Sequence, residues 1–356
     1  MAVKTQEITD QYAIYNSDCV EVIQKIPSES IHMSLYSPPF AVDSPTGGGG
    51  CLYNYSSSDR DFSNSRTYGE FFEHYEFLVS QIHRITLPGR ITAVHCTDIP
   101  LDGANVCGYS DFPGDIVRLH QKLGFDMLPR ICIWKEPLEV RNRTMSKALT
   151  HRQICEDSTL TNSAASDYLI PFRKRGENPI PVTHERGFTK YAGEREVPKE
   201  LMVYRNWKGK QTANRYSHWI WRNYASAVWM DIRLDRVLKY KAAKEPGDEK
   251  HQHPLQLDVI ERAVELWTNH GETVFTPFMG VGSEVYGAVI NGRKGIGVEL
   301  KRSYYLQASR NLRNAETHEA EETERITLPG FDDEDDAEPS DDLDPVDEEI
   351  EAMADE

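Results

Sequence analysis

Residues 273–300 read TVFTPFMGVGSEVYGAVINGRKGIGVEL, and this stretch predicts a strand, a tight turn, a helix and a second strand. The first strand is the β-branched and aromatic run that begins at Thr273. The turn lies between Gly280 and Gly282, and the apolar residues after it recur with helical spacing. The second apolar run ends at Glu299. The pattern is that of one βαβ unit of an α/β protein.

The glycine turn and Glu299 indicate a cofactor that contains a nucleoside. Glycines let a ligand approach the backbone, and an acidic side chain at the end of the next strand can accept hydrogen bonds from ribose hydroxyls. Val285 occupies the place of the third fingerprint glycine, which favours a cofactor without a pyrophosphate. S-adenosylmethionine fits, with its carboxylate near the helix start at Ser283. An ordinary βαβ unit is the alternative for a motif this short.

A second motif, Ser37-Pro38-Pro39-Phe40, directly follows the strand-like run 31–36. The two prolines cannot donate to a β-ladder and they fix φ, so they end the strand in a stiff, extended turn. The turn holds the serine hydroxyl and nearby carbonyl oxygens in place beside an aromatic ring. It therefore predicts a rigid acceptor site, although such a motif alone is most often a simple turn.

Together, the two motifs resemble those of the amino-DNA methyltransferases, which modify N4 of cytosine or N6 of adenine. That family has a catalytic motif [DNS]-P-P-[YF], similar to residues 37–40, and a cofactor motif D-P-F-x-G-x-G. The second is similar to Thr276-Pro277-Phe278 followed by Gly280 and Gly282, with the threonine in place of the family's Asp. A catalytic motif that precedes the cofactor motif is typical of the family's β group. The resemblance covers most of residues 12–314.

The resemblance implies a fold, a reaction and further contacts. The implied fold is an α/β, Rossmann-like, doubly wound and mostly parallel sheet, as in class I methyltransferases with permuted motifs. Asp18 is similar to an acidic residue that contacts the cofactor adenine, and His253-Pro254 to a segment that lines the methionine end. The implied reaction is methyl transfer from S-adenosylmethionine to the exocyclic amine of a flipped base in double-stranded DNA, without a metal. Ser37 and the Pro38 carbonyl would accept the amine hydrogens while Phe40 stacks on the base.

The order of predicted elements divides the chain into four regions. Residues 1–134 form the catalytic half of the methyltransferase domain and 246–314 its cofactor half. Between them, 135–245 form a target-recognition insertion, and 315–356 form an acidic, disordered tail. Strands and helices alternate in the first region, which predicts a doubly wound sheet.

The insertion has the composition of a DNA-contacting surface. Residues 135–230 contain 17 Lys and Arg against 10 Asp and Glu, interleaved with aromatic residues. Basic side chains contact phosphates, and aromatic side chains can stack on bases. The most compact basic cluster is Arg173-Lys174-Arg175, our candidate for DNA binding. The alternative is an irregular insertion whose aromatic residues form a small core of their own.

The net charge of −17 is concentrated in one segment. Residues 315–356 contain 20 Asp and Glu and a single basic residue, Arg325, so the rest of the chain is nearly neutral. Clustered like charge and low hydrophobicity predict disorder. The tail is either a solubilising appendage or a mimic of DNA that competes for the enzyme's own basic surface.

The remaining features limit the compartment and the chemistry. The six cysteines form no C-x-x-C pair, which indicates a reducing compartment. No Pro-Cys dipeptide occurs, which speaks against methylation at a ring carbon of cytosine. The chain has no leader-like start and no long apolar run. We expect a protein of the cytoplasm, with no membrane contact, encoded by a prokaryote or a phage.

Three functions remain open at this point. The first is the amino-DNA methyltransferase, with cytosine N4 favoured over adenine N6 because S-P-P-[YF] occurs more often in the cytosine enzymes of the family. The second is a methyltransferase acting on protein glutamine or on RNA. The third is a catalytically silent DNA-binding relative, suggested by Thr276.

Overall fold

The structure is a computed structural model that describes residues 3–42, 51, 60–101, 108–144, 146–185, 187–204, 214–243, 254–315 and 321–323. His253 and most of the predicted acidic tail lie outside the described residues.

The described residues form an α/β structure. The strands are β1 (Thr5–Ile8), β2 (Tyr12–Asn16), β3 (Ile31–Tyr36), β4 (Thr86–Thr97), β5 (Ile99–Pro100), β6 (Tyr109–Ser110), β7 (Phe125–Met127), β8 (Ile131–Ile133), β9 (Asp167–Lys174), β10 (Val228–Trp229), β11 (Arg236–Leu238), β12 (Thr273–Thr276), β13 (Lys294–Glu299) and β14 (Glu321–Thr323). The helices are α1 (Cys19–Ile23), α2 (Tyr68–Ile85), α3 (Phe112–Lys122), α4 (Pro137–Thr144), α5 (His151–Asp157), α6 (Arg215–Tyr224), α7 (Leu257–Trp267), α8 (Ser283–Ile290) and α9 (Arg302–Arg313).

The main sheet has the strand order β1-β2-β13-β12-β3-β4-β9-β8-β10, and β7 also pairs with β9. Strands β2, β13, β12, β3 and β4 are parallel to one another, whereas β1 is antiparallel to β2 at the edge of the sheet. Strand β9 is antiparallel to β4 and to β8. The mostly parallel sheet predicted from the sequence is therefore confirmed.

The chain order creates a crevice between β12 and β3. The connection from β12 leads through α8 to β13 on one side, whereas β3 continues through α2 to β4 on the other. Ligands of open α/β sheets bind beyond the carboxyl ends of the strands where the order reverses in this way. Both sequence motifs follow these two strands, so the topology brings them to one edge, which we call the catalytic edge.

Helices cover both faces of the sheet, as expected for a doubly wound fold. One buried cluster joins α7, α8 and α9 to side chains such as Met33 and Leu35 of β3. A second buried cluster joins α1, α2 and α3 to the opposite face, where Tyr36 of β3 lies. The alternating direction of side chains along β3 therefore anchors this strand in both layers. The tight contact between α7 and α8 leaves no room for a side chain at Gly287, where a Cβ would approach Ile260 Cγ2 to 2.3 Å.

Part of the predicted insertion lies inside the main sheet. Strand β9 lies inside the main sheet between β4 and β8, and β10 pairs with β8. Outside the sheet, Phe188, Tyr216 and Tyr224 of this interval form a separate small core. This agrees with the alternative interpretation, in which the aromatic residues of the insertion pack on one another. The interval 135–245 therefore contributes both to the sheet and to segments outside it.

Strands β7 and β8 pair separately with β9. Residues 321–323 of the predicted disordered tail form β14, which pairs antiparallel with β11.

Candidate active site

The Ser37-Pro38-Pro39-Phe40 turn leaves the carboxyl end of β3 at the catalytic edge. Pro38 and Pro39 are buried, whereas Ser37 and Phe40 are half-buried. The Phe40 ring lies 6.0 Å from the Phe112 ring and 6.5 Å from the His95 ring, measured between centroids. The prolines thus fix the turn, and the Ser37 and Phe40 side chains stay partly accessible.

A chain of polar contacts that the sequence did not predict supports Ser37. Ser37 Oγ lies 3.2 Å from His95 Nδ1 and 3.2 Å from the His95 carbonyl oxygen. His95 Nε2 lies 3.1 Å from Asp167 Oδ2, and Lys135 Nζ lies 2.6 Å from Asp167 Oδ1. His95 is near the end of β4, and Asp167 begins β9. Neighbouring strand ends therefore bring these groups together.

Asp167 is charged despite its burial. Burial alone would raise the pKa of the Asp167 carboxyl, but the positive charge of Lys135, with a further contribution from His95, holds that pKa well below its usual range. A negative charge therefore lies against the far nitrogen of the histidine that contacts Ser37.

The glycine turn and Glu299 meet on the other side of the crevice. Gly280 and Gly282 have φ angles of 55° and 96°, a backbone conformation that favours glycine. Gly280 N donates to Glu299 Oε2 at 2.8 Å, and Lys301 N donates to Glu299 Oε1 at 2.8 Å. Each carboxylate oxygen retains a lone pair for another donor. The geometry suits a carboxylate that also accepts from vicinal hydroxyls.

Several observations fit a nucleoside cofactor at this turn. A Cβ built on Gly280 meets no described atom within 4 Å, so space lies open beside the turn. Thr276 Oγ1 is buried and forms no hydrogen bond among the described residues. Buried polar atoms are normally satisfied, so this hydroxyl is a candidate for a ligand contact. Ser283, the first residue of α8, and Pro277 are both buried.

Burial also changes the acidity of the carboxyls here. It raises the pKa of Glu299 to about 7 and that of Glu284, in the first turn of α8, to about 8. The negative charge of Glu299 contributes to the raised pKa of Glu284. A protonated Glu299 could not accept the second hydrogen bond that a diol offers, so its charge state matters for ligand binding.

Asp18 follows β2, the strand that pairs with β13 up to Glu299. Asn16 at the end of β2 pairs with Glu299 in register, and Ser17 N donates to the Glu299 carbonyl oxygen at 3.1 Å. Asp18 then caps α1 by accepting from Val20 N at 2.9 Å. Pro254 lies three residues before Leu257, where α7 begins.

Aromatic contacts connect the two motifs. The Phe278 ring of the cofactor turn lies 6.0 Å from the ring of Tyr36, the residue before Ser37. Phe62 packs on the same phenylalanine at 5.6 Å. The catalytic turn and the glycine turn are thus neighbours in one crevice, although more than half of the chain separates them in sequence.

The candidate DNA-binding cluster lies away from the catalytic edge. Strand β9 runs antiparallel to β4, so Arg173 and Lys174 lie at the end of the sheet opposite Ser37. Lys174 is buried, and its Nζ donates to the Thr86 carbonyl oxygen at 2.8 Å and pairs with Glu29 at 3.2 Å. Arg175 pairs with Asp126 at 2.9 Å. These side chains stabilise the far end of the sheet.

Sequence comparison identifies the family. The family described as DNA methylase (N6_N4_Mtase) matches residues 31–310. Because this match covers most of the chain, the protein belongs to the N6/N4 DNA methylase family.

Individual relatives are more distant. The type II methyltransferase M.BamHI and the orphan methyltransferase M.BamHII, both of Bacillus amyloliquefaciens, are each 21% identical to this chain. The first alignment covers 84% of this chain and 56% of M.BamHI, and the second covers 75% and 91%. M.MjaI of Methanocaldococcus jannaschii is 22% identical over 83% of this chain and 89% of that protein. The chain therefore spans little more than half the length of M.BamHI.

Solved structures show the same fold. The cytosine-N4-specific PvuII DNA methyltransferase superposes with a TM-score of 0.55 at 15% identity, covering 86% of this chain and 89% of that one. TTHA0409 of Thermus thermophilus, complexed with S-adenosyl-L-methionine, gives a TM-score of 0.54 at 20% identity, with coverages of 86% and 95%.

Within the described residues, no helix is both long enough and apolar enough to cross a membrane.

Proposed function

We propose that this protein transfers a methyl group from S-adenosylmethionine to the exocyclic amine of a base flipped out of DNA. The observation that carries the proposal is the meeting of two sites at one crevice. Ser37 follows β3, while the Gly280 turn and Glu299 follow β12 and β13. A methyl donor and an amine acceptor held at these strand ends would be adjacent. Family membership and the solved relative with bound S-adenosyl-L-methionine support the same reaction.

The cofactor half offers the groups that such a ligand requires. Glu299 would accept from the ribose hydroxyls, and Asp18, which follows the adjacent strand β2, would contact the adenine. Thr276 Oγ1 would gain the hydrogen-bond partner that it lacks among the described residues. The buried start of α8 at Ser283 would face the carboxylate of the methionine part, where the helix dipole is favourable. His253 and Pro254 are proposed to line the methionine end.

The catalytic turn would prepare the amine for attack. S-adenosylmethionine supplies an electrophilic methyl group on its sulfonium. The amine of a base is a weak nucleophile because its lone pair is delocalised into the ring. Ser37 Oγ and the Pro38 carbonyl oxygen would accept the two N–H groups and favour a pyramidal nitrogen, while Phe40 stacks on the ring and Pro39 keeps the turn rigid. Positioning and electrostatic stabilisation would supply most of the rate enhancement.

The proposed target atom is N4 of cytosine, with N6 of adenine as the alternative. The serine before the prolines is a neutral acceptor, and S-P-P-[YF] is more frequent among the cytosine enzymes that the motif resembles. The PvuII enzyme, which is cytosine-N4-specific, has the same fold.

Target recognition would use the parts of 135–245 that lie outside the sheet. Strand β8 ends beside Asp167, so the chain enters α4 at the catalytic edge. Trp134 and Leu138, which lie at this point, are 41% and 48% exposed. Exposed aromatic and apolar side chains near a catalytic crevice suit contacts with an unstacked base or its neighbours.

Incubation with cofactor labelled on its methyl group tests this function. The full-length protein is mixed with duplex DNA, with RNA and with a protein extract in separate reactions. The proposal expects label in DNA. Label confined to RNA or to protein glutamine would support the second function, and no transfer in any reaction would support a silent DNA-binding relative.

A further inference from the structure

Polar contacts link Ser37, His95, Asp167 and Lys135 at the catalytic edge. Holding the shape of a methyl-transfer site would not require a histidine and a buried ion pair behind the serine. We propose that His95 and Asp167 fix the Ser37 hydroxyl as a hydrogen-bond acceptor and receive the proton that the methylated amine releases. The inference rests on the proposed function. His95 acts through Ser37 and is a positioning residue in this account.

The position of Asp167 bears on which nitrogen of the His95 imidazole carries the proton. Asp167 Oδ2 lies 3.1 Å from His95 Nε2, and a carboxylate in this place favours a proton on that nitrogen. Nδ1 is then unprotonated and can accept from Ser37 Oγ, 3.2 Å away. Ser37 Oγ also lies 3.2 Å from the His95 carbonyl oxygen, so the serine hydrogen has two acceptors, and with either one both lone pairs of Oγ remain for the N–H groups of the target base.

The charges of Asp167 and Lys135 lie behind His95. His95 and Asp167 are only 8% and 5% exposed, so water screens their interaction weakly. Lys135 pairs with Asp167 at 2.6 Å and keeps it ionised. An imidazolium formed at His95 would therefore be stabilised by a carboxylate already in place. The Phe40 ring, 6.5 Å away, covers this group from the side of the catalytic turn.

Protons and electrons balance in the proposed methyl transfer. The amine lone pair forms the new C–N bond, and the electron pair of the broken C–S bond stays on sulfur, so the positive charge moves to nitrogen. The nitrogen gives a proton to Ser37 Oγ while the serine passes its own proton to His95 Nδ1. The products are a neutral methylated base and an imidazolium beside Asp167, which later loses its proton to solvent.

One test needs no activity. Nitrogen-15 labelling of the histidines, with His95 assigned by its absence in His95→Asn, reports the tautomer by NMR. We expect an Nε2–H tautomer whose Nδ1 signal moves in Ser37→Ala. A proton resident on Nδ1, or an Nδ1 signal indifferent to Ser37→Ala, would overturn the proposal even for a protein that transfers no methyl group.

The second test separates turnover from binding. Asparagine at position 95 can accept from Ser37 but cannot take up a proton, so the single-turnover rate of His95→Asn should fall by about 100-fold or more, the scale of general base catalysis. The dissociation constants for DNA and S-adenosylmethionine should stay as in the wild type. Thr97→Val is the matched control, since Thr97 lies two residues further along β4 and bonds Ser166 instead.

Asp167→Asn leaves Lys135 without its buried partner and could unfold the protein. The double variant Asp167→Asn with Lys135→Met removes both charges and keeps the test valid. We expect it to be as slow as His95→Asn. If both variants transfer methyl at the wild-type rate, the relay is wrong and the proposed function stands. If the wild type transfers no label to DNA, the proposed function and the relay both fail.

Discussion

Strand β9 carries a buried charged residue at each end, and the surroundings of the two differ. Asp167 at the amino end lies against His95, which contacts Ser37. Lys174 at the carboxyl end donates to a strand carbonyl and pairs with Glu29. Both are salt-bridged and nearly equally buried. Only the first lies at the edge where the parallel strands end, and position in the sheet therefore separates a candidate catalytic group from a structural one.

The largest effect is expected at the catalytic edge. Ser37→Ala removes an acceptor that contacts the reacting amine, so turnover should fall by about 100-fold or more, as when one preorganised polar group is lost from an active site. Cofactor affinity should not follow, because the contact strengthens only in the transition state. Single-turnover kinetics and calorimetry measure the two quantities.

Ser30→Ala is the matched control. Ser30 lies at the opposite end of β3, where its hydroxyl bonds the Pro27 carbonyl oxygen at 2.7 Å. If Ser30→Ala lost as much turnover as Ser37→Ala, the two ends of the sheet would not differ in their importance for catalysis.

An intermediate effect is expected at Glu299. Glu299→Gln should weaken S-adenosylmethionine binding by roughly 1–3 kcal/mol, the scale of hydrogen bonds to a charged group. Burial raises the pKa of Glu299 to about 7, so the wild-type affinity should increase between pH 6 and 8 as the carboxyl ionises. Calorimetry at several pH values measures both. Equal pH dependence in Glu299→Gln would show that another group is responsible.

The raised pKa of Glu299 makes stability fall with rising pH, whereas cofactor affinity should rise. A carboxyl whose pKa is raised by folding favours the protonated native state, so its contribution to stability is lost as the pH rises through about 7. Chemical denaturation of the protein without cofactor should show a free energy of unfolding that declines from pH 5 to 8, and less so in Glu299→Gln.

The smallest functional effect is expected at the far end of β9. Lys174→Met removes the donor to the buried Thr86 carbonyl oxygen and should lower the free energy of unfolding by about 1–3 kcal/mol. DNA affinity and its salt dependence should remain unchanged, since the side chain is buried and already pairs with Thr86 and Glu29. If Lys174→Met leaves the free energy of unfolding unchanged and flattens the salt dependence of DNA affinity, the result would support the DNA-binding role that the sequence suggested.

Local patterns predicted the parts of the fold that local physics determines. The strand 31–36 and its proline stop match β3, and the 273–300 unit matches β12, α8 and β13. The apolar runs, the glycine turn and the prolines act within a few residues of one another. Sequence reasoning therefore identified both sides of the crevice.

The missed elements depend on distant partners. Strand β9 contains Pro171, and proline normally argues against a central strand. Pairing with β4 on one side and with β7 and β8 on the other nevertheless holds it in the sheet. His95 and Asp167 contact each other only because their strands are adjacent. The sequence places neither residue near Ser37, because the pairing of β4 with β3 and β9 appears only in the structure.

The central claim is that Ser37 and the Gly280 turn serve methyl transfer to an amine of a DNA base. Its most direct test is mass spectrometry of nucleosides from DNA incubated with the protein and methyl-labelled S-adenosylmethionine. The account predicts labelled N4-methylcytosine, absent with Ser37→Ala. Labelled N6-methyladenine instead would contradict the choice of base, and DNA without any labelled nucleoside would contradict the claim itself.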